Sequence, residues 1–411
     1  MFLRTPFECH AFLRAVFKTD LVKQIDITVY QMNSSLLLKK TVLSLLLITS
    51  INFSFGQTTI LSENARVSVL TCGTGNESYS LFGHTAIRIS DPNQFIDLVY
   101  NYGAFDFNTP NFVAKFTKGD LQYFAVAHPY TDFINEYTYE RRSVYEQELN
   151  IPDSLKQKLF DNLNTSLASG ESHYTYKFID KNCTSMVVDI INKTLSTTAI
   201  VKNSDTNITY RTILYPYFDG HFYEKLGTSI IFGKKVDQLG TQIFLPFELN
   251  KSLKTVQFNN HLLAKENKTL LEYNETPPSS WWNNFYTYGL LLGFILFMNG
   301  KIINQIYFLI MGMLGLFFLF VGFYSSHHEL AYNYNVLLFN PALLALLYFY
   351  YKDNKKWIYN LCLFNLLFLA IYLIILINKA HLLIVLPLII TNGVLLVKLA
   401  IKNKKKIPII I

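Results

Sequence analysis

The chain has 411 residues, of which 51% are hydrophobic and 16% are charged, and its formal net charge is +7. Soluble proteins carry roughly 25% charged residues, so this composition excludes a disordered chain and argues against a wholly soluble globule. Much of the basic excess lies in short lysine clusters beside apolar runs, which indicates membrane orientation. We therefore expect a membrane-embedded protein with no nucleic-acid partner.

The first segment has the features of a targeting sequence. Lys39 and Lys40 precede an apolar run over 41–55, and Ser54 and Gly56 put small residues at the −3 and −1 positions of a cleavage site. The pattern predicts a secretory signal peptide cleaved after Gly56, with a retained signal anchor as the alternative. Signal peptides rarely begin far upstream, so we interpret Met32 as the true start and residues 1–56 as an upstream extension plus signal peptide.

Residues 57–278 hold most of the acidic residues and no long apolar run, which predicts a folded domain of mixed α and β structure. Alternating apolar residues predict strands, and apolar residues at helical spacing predict helices with Asp153 or Ser154 capping the first. The predicted strands cover 65–71, 84–90, 95–102 and 143–151, and the predicted helices cover 152–166 and 183–195. The fold class is therefore α+β, followed by an all-α membrane domain over 281–411.

That membrane domain is predicted from nearly continuous apolar sequence. The five predicted spans cover 281–299, 303–324, 336–351, 357–377 and 382–399. If residues 57–278 lie outside the cytoplasm, eight lysines fall in inside segments and only Lys379 falls in an outside loop. This distribution satisfies the positive-inside rule and agrees with the signal peptide, so we expect an extracytoplasmic domain on a multi-pass inner-membrane anchor.

Two short segments could carry chemistry. Cys183 opens a predicted helix, where the helix dipole and free N–H groups favour a thiolate and could hold an oxyanion. His84 starts a predicted strand and could complete a Cys/His nucleophile pair. A histidine on a strand before a cysteine at a helix start is the order of a circularly permuted papain-like fold. Alternatively, Cys72 and Cys183 form a disulfide and His84 is structural.

Further polar residues surround these two. A third group usually orients the histidine, and Asn101 on the next strand is the first candidate, although it could be a turn residue before Gly103. Tyr102 is a candidate hydroxyl donor. Arg88 alternates onto the same strand face as His84 and could bind a phosphate or carboxylate, or form a structural salt bridge.

An outer loop between the second and third predicted spans contains His327, His328 and Glu329. Their H-H-E order lacks the spacing of the H-E-x-x-H zinc motif, so we expect no metal and no cofactor. We interpret the loop as polar structure beneath the catalytic domain, with His327 and His328 able to touch lipid headgroups.

Four segments resemble the Lnb-type lipoprotein N-acyltransferases of Bacteroidetes: F-G-H-T-A-I-R at 82–88, V-Y-N-Y-G-A-F-D-F at 99–107, N-F-V-A-K-F-T-K-G-D at 111–120 and D-K-N-C-T-S at 180–185. Those proteins place several membrane helices after a periplasmic domain similar to permuted NlpC-type proteins. The resemblance implies that Cys183 is the nucleophile, His84 the base, and Asn182 part of the substrate-binding motif.

The resemblance also implies the reaction. A Cys183 thioester would carry a fatty acyl chain from a phospholipid to the α-amine of a diacylglyceryl-cysteine lipoprotein, with no cofactor. One alternative is a periplasmic NlpC-type cysteine peptidase or amidase, for which membrane helices are unnecessary. The other is a non-enzymatic membrane receptor or assembly factor with a Cys72–Cys183 disulfide.

Overall fold

The computed structural model describes residues 39–42, 44, 59–77, 79–274 and 277–404. Residues 39–42 and 44 are helical and exposed. The other predictions for the N-terminal extension, including the cleavage site after Gly56 and the start at Met32, fall outside the described residues. The chain from Ile60 onward forms one compact unit.

The N-terminal domain is built on a seven-stranded antiparallel sheet in the order β6-β4-β3-β2-β1-β5-β9. Its strands are β1 (Arg66–Cys72), β2 (His84–Asp91), β3 (Ile96–Ala104), β4 (Gln122–Pro129), β5 (Val144–Glu148), β6 (Tyr174–Thr175) and β9 (Lys268–Leu271); β7 (Gln257–Phe258) and β8 (His261–Leu262) form a separate hairpin. All four predicted strands are present, the fourth shortened to β5. Sequence alternation did not identify β4, β6 and β9.

Helices cover both faces of this sheet. The N-terminal domain contains α1 (Phe112–Lys118), α2 (Tyr130–Glu140), α3 (Asp153–Ser169), α4 (Cys183–Leu195), α5 (Tyr210–Leu214), α6 (Phe222–Ile231) and α7 (Pro246–Leu253). On one face α3 buries Leu159 and Leu163, and α4 buries Val187 and Ile191, against alternate residues of the central strands. On the other face α2 buries Phe133 and Tyr137. The predicted α+β class is confirmed, and the His-bearing strand precedes the Cys-bearing helix as a permuted papain-like fold requires.

The predicted cap of α3 is wrong. The helix is preceded by Pro152 in extended conformation, with no side-chain cap, and Asp153 is already its first residue. The Asp153 carboxylate accepts a hydrogen bond from Lys156 Nζ at 2.8 Å instead. Proline fixes φ and has no N–H group, so the chain can enter the helix directly after it.

Segments beyond α4 build a second apolar cluster over the turn that leads into that helix. Ile179 is fully buried there, together with residues from α5 and from the chain before α7. The helix start that presents Cys183 is therefore packed on both sides, by the sheet below it and by this cluster above it.

The C-terminal region is helical and apolar. It contains α8 (Phe285–Met298), α9 (Lys301–Tyr324), α10 (Ala342–Tyr351), α11 (Lys355–Leu376) and α12 (Leu382–Asn403). Among the described residues, α9, α11 and α12 are long and apolar enough to cross a membrane. The other two predicted spans are modified: α8 has only 14 residues, and the third is bent by 40° between residues 328–337 and α10, where Pro341 interrupts the backbone hydrogen bonds.

The loop between α9 and α10 contacts the N-terminal domain directly. Ser326 N donates to Lys118 O at 2.7 Å, Ile179 N donates to Glu329 Oε1 at 2.9 Å, and Gly233 N donates to Glu329 O at 2.7 Å. The loop between two helices of the C-terminal region therefore contacts the segment that leads to Cys183.

Candidate functional site

Cys183 is the first residue of α4, and Asn182 is its cap. Asn182 Oδ1 accepts from Thr184 N at 2.9 Å and from Ser185 N at 3.1 Å, and the Ser185 hydroxyl accepts from Asn182 N at 2.8 Å. This reciprocal capping box fixes the first helical turn. It also holds the thiol at the positive end of the helix dipole.

The expected substrate contact of Asn182 does not fit this arrangement. Its Nδ2 donates to Phe178 O at 2.7 Å and to Phe244 O at 2.8 Å, and the side chain is buried. Both donors and the acceptor of the amide are thus occupied by backbone groups. Asn182 therefore positions the first turn of α4, and its amide has no group free for a ligand.

The Cys183 thiol, the His84 imidazole and Asn101 lie in series. The His84 imidazole and the Cys183 thiol are close enough to stabilise each other's charged form, and His84 Nε2 lies 3.2 Å from Asn101 Oδ1. Because an amide oxygen only accepts, Nε2 carries a proton. The structure thus brings together the three residues that were expected to act in catalysis.

Burial by itself would raise the pKa of the Cys183 thiol and lower that of His84, since it disfavours charge on either group. The two side chains stabilise each other's charged form, and Cys183 also accepts hydrogen bonds from Thr85 N–H and the Thr184 hydroxyl. The pKa of Cys183 is therefore lowered and the pKa of His84 is raised. These directions favour a thiolate–imidazolium pair.

Cys72 and Cys183 are both free thiols in the described structure. Cys72 ends β1, pairs with His84 in the strand register and is fully buried. Burial raises the pKa of the Cys72 thiol to about 12. The disulfide on which the receptor alternative depends is not formed.

The helix start offers fewer oxyanion donors than expected, because Asn182 occupies the N–H groups of Thr184 and Ser185. The N–H of Cys183 is left, since the first residue of a helix has no intrahelical acceptor. A second donor lies nearby in Tyr174, whose buried hydroxyl has no hydrogen-bond partner in the described structure. Sequence reasoning missed Tyr174 because only tertiary packing leaves its hydroxyl unpaired.

Gly103 lies between Cys183 and the Tyr174 hydroxyl. Its φ is +113°, and the β3–β4 register shifts at this position. A Cβ placed on Gly103 would lie 3.8 Å from Cys183 Cβ and 4.0 Å from the Tyr174 hydroxyl. The thiol and the unpaired hydroxyl thus flank one glycine, and the absent side chain leaves open space between them.

Arg88 and Tyr102 are placed away from the expected substrate roles. Arg88 makes two 2.8 Å hydrogen bonds to the carboxylate of Asp97 and one of 3.3 Å to Glu146, so the structural salt bridge is the observed alternative. Tyr102 is buried in the core between the sheet and the helices, and this burial raises its pKa to about 12.

The two loop histidines bind protein groups. His327 Nε2 lies 3.0 Å from Phe116 O in α1, and His328 Nδ1 lies 3.0 Å from Asp180 Oδ2, three residues before Cys183. The interpretation of this loop as structure beneath the catalytic domain fits these contacts. The same hydrogen bonds fasten the loop to that domain, and the contacts of His327 and His328 with lipid headgroups stay a prediction.

No group of three or more His, Cys, Asp or Glu side chains close enough to hold a metal occurs within residues 39–42, 44, 59–77, 79–274 and 277–404. The groups assembled at Cys183 are a thiol, an imidazole, an amide and two hydrogen-bond donors. That set is sufficient for acyl transfer through a thioester.

Two family models match the chain. Residues 54–215 match the Lnb N-terminal periplasmic domain, and residues 279–406 match the Lnb transmembrane domain. No curated protein and no solved structure gives a significant match. The two matches cover most of the chain in the order of the family, and they include the Cys183 and His84 segments and all five C-terminal helices. The chain therefore belongs to the Lnb family of membrane proteins.

Proposed function

We propose that this protein is a lipoprotein N-acyltransferase of the inner membrane whose catalytic domain faces the periplasm. The observation that carries the proposal is the Cys183–His84–Asn101 series, with Cys183 at a capped helix start and its pKa lowered. The domain holding it is hydrogen-bonded to the loop between α9 and α10. An activated thiol held beside a bilayer suits an enzyme whose acyl donor is a membrane lipid.

In the first half-reaction the Cys183 thiolate attacks the ester carbonyl carbon of a phospholipid. The negative charge on the carbonyl oxygen is stabilised by the Cys183 N–H and the Tyr174 hydroxyl. As the C–O bond breaks, the His84 imidazolium gives its proton to the departing lysophospholipid oxygen. The acyl chain is then held on Cys183 as a thioester.

In the second half-reaction the α-amine of a diacylglyceryl-cysteine lipoprotein attacks the thioester carbonyl. His84, now neutral, takes a proton from the attacking nitrogen while the C–S bond breaks. The products are an amide on the lipoprotein and the Cys183 thiolate beside protonated His84, which is the starting state. Asn101 Oδ1 keeps the imidazole oriented throughout.

Two alternatives remain to be distinguished by experiment. A cysteine peptidase or amidase would use the same side chains, but it would not need the hydrogen bonds between the catalytic domain and the α9–α10 loop. Its specific sign is cleavage of a cell-wall peptide by the isolated 57–278 segment. A receptor or assembly factor is disfavoured because Cys72 and Cys183 are free thiols.

The test is a Cys183→Ala exchange in a strain that has no other copy of this enzyme. Mass spectrometry of the N-terminal peptide of an abundant lipoprotein should show three acyl chains in the wild type. With Cys183→Ala it should show only the diacyl form with a free amine.

Cys72→Ala is the matched control, because it removes a second thiol of the same domain that the proposed chemistry does not use. It should leave the lipoprotein triacylated. If lipoproteins remain triacylated in a folded, expressed Cys183→Ala protein, the proposal fails and the peptidase alternative is favoured.

A further inference from the structure

The segment around α1 exposes a patch of large apolar side chains. Phe107 and Val113 are each 74% exposed and Phe116 is 49% exposed, and we call these three residues the α1 patch. Lys115 and Lys118 lie in the last turn of the same helix. Exposed apolar side chains beside lysines are typical of segments that lie in the interface of a membrane.

The position of α1 relative to the membrane helices fits such a segment. Lys118 O accepts the 2.7 Å hydrogen bond from Ser326 N, and the Lys118 ammonium lies 6.0 Å from the centre of the Tyr324 ring at the end of α9. With 24 residues, α9 is long enough to cross the hydrocarbon core. A helix attached just beyond its end lies at the level of the lipid headgroups.

The exposed lipid-facing surface of α9 continues to this level. Phe323, at the end of α9, is 90% exposed, and Tyr324 beside it is 47% exposed. The end of α9 that contacts α1 through Lys118 is thus apolar and exposed, as the α1 patch is. Two exposed apolar surfaces joined at the end of a helix long enough to cross a membrane favour lipid as the occupant of the patch.

A continuous series of aromatic rings joins the α1 patch to the thiol. Phe107 packs on Phe105, which packs on Tyr123, and Tyr123 packs on Tyr174, the residue beside Cys183. The ring-centre distances are 4.8 Å for Phe107–Phe105, 5.1 Å for Phe105–Tyr123 and 6.2 Å for Tyr123–Tyr174. An acyl chain that followed these rings would stay in apolar surroundings from the interface to the nucleophile.

We propose that the α1 patch inserts into the adjacent leaflet and that the aromatic series guides a phospholipid acyl chain from the bilayer to Cys183. This inference rests on the proposed function, because it takes the bound lipid to be the acyl donor. The patch would act on entry of the donor, and it would take no part in the chemical step.

Lipid contact can be tested without any activity. Photo-reactive benzoylphenylalanine at position 107, in the full-length protein reconstituted with alkyne-labelled phosphatidylethanolamine, should form a lipid adduct on irradiation. The matched control is the same probe at position 95, because Phe95 is 98% exposed at the opposite end of β3. Equal labelling at 95 and 107, or none at 107, would overturn the inference.

The role in donor entry is tested with the Phe107→Ser/Val113→Ser double variant, whose exchanged side chains are mostly exposed. Transfer from vesicle phospholipid should fall about tenfold, because two apolar anchors are lost from the interface. Acylation of Cys183 by soluble p-nitrophenyl acetate should be unchanged, as should both activities of Phe95→Ser. Unchanged phospholipid transfer in the double variant would also overturn the inference. A wild-type protein that forms the lipid adduct at position 107 but transfers no acyl chain would refute only the proposed function.

Discussion

Two thiol regions of the same domain, the end of β1 and the start of α4, have opposite chemistry. Cys72 is paired with His84 in the strand register, yet burial raises its pKa to about 12. Burial disfavours the Cys183 thiolate as well, but His84, Thr85 N–H and the Thr184 hydroxyl outweigh that cost and lower the pKa of Cys183. The difference shows that pairing with His84 in the strand register does not by itself lower the pKa of a thiol; the imidazole and neighbouring donors must stabilise the thiolate.

The largest expected effect is on thiol reactivity when His84 is removed. A lowered pKa keeps Cys183 as a thiolate at a more acidic pH than an ordinary cysteine, so the pH profile of its alkylation is displaced to lower pH. In His84→Gln only burial and neutral donors remain, and the profile should move above the ordinary cysteine value. At pH 7 the iodoacetamide rate should fall by at least about tenfold, since each pKa unit changes the thiolate fraction tenfold.

Cys72 provides the internal control for this experiment. Mass spectrometry of the alkylated peptides should find Cys72 unmodified in both proteins until they are unfolded. The same alkylation rate at Cys183 with and without His84 would contradict the ion pair.

A smaller effect is expected from removing the cap that places Cys183. Asn182→Ala removes the helix cap and leaves two carbonyls, the partly buried Phe178 O and the buried Phe244 O, without their donor. The free energy of unfolding should fall by about 3 kcal/mol, of which the cap supplies about 1 kcal/mol. Denaturant unfolding in detergent measures it.

Thr209→Ala is the matched control for that variant. Thr209 also caps a helix, accepting from Thr212 N at 3.2 Å, but at an exposed position. It should cost no more than about 1 kcal/mol. Equal losses in the two variants would show that the buried donors of Asn182 do not contribute to stability.

The sequence predicts much of the frame around these thiols because the signals are local. Alternation identifies β1, β2 and β3, and apolar spacing identifies α4, so His84 and Cys183 are assigned to the correct elements. The cap was also visible: Asn182 is followed by Ser185 at the position of a capping box. Reading that spacing would have given Asn182 a positioning role.

What sequence reasoning missed depends on contacts between distant segments. The edge strand β9 pairs with β5, which lies more than a hundred residues earlier in the chain. The four residues of β9 contain no pattern that predicts this pairing. Alternation along the strand places Arg88 on the same face as His84, which suggested a role in the site. In the folded sheet, however, Asp97 and Glu146 form salt bridges with its guanidinium. Tyr174 becomes notable only because packing leaves its hydroxyl buried beside Cys183 without a partner.

The smallest expected effect tests whether the Tyr174 hydroxyl takes part in catalysis or stabilises the fold. Tyr174→Phe removes a buried hydroxyl with no partner, so the free energy of unfolding should change by less than about 0.5 kcal/mol. If that hydroxyl binds the oxyanion, kcat should fall by about tenfold, whereas KM for the phospholipid should stay the same.

Tyr100→Phe gives the reverse expectation, because the Tyr100 hydroxyl donates to Asn164 Oδ1 at 2.9 Å on the core side of the same sheet. Its loss should cost about 1 kcal/mol of stability and leave kcat unchanged. The pair of variants matters because each supplies the other's control: both remove one buried hydroxyl from the same core. A Tyr174→Phe protein that loses stability and keeps its rate would make Tyr174 structural, and it would leave the Cys183 N–H as the oxyanion donor at the helix start.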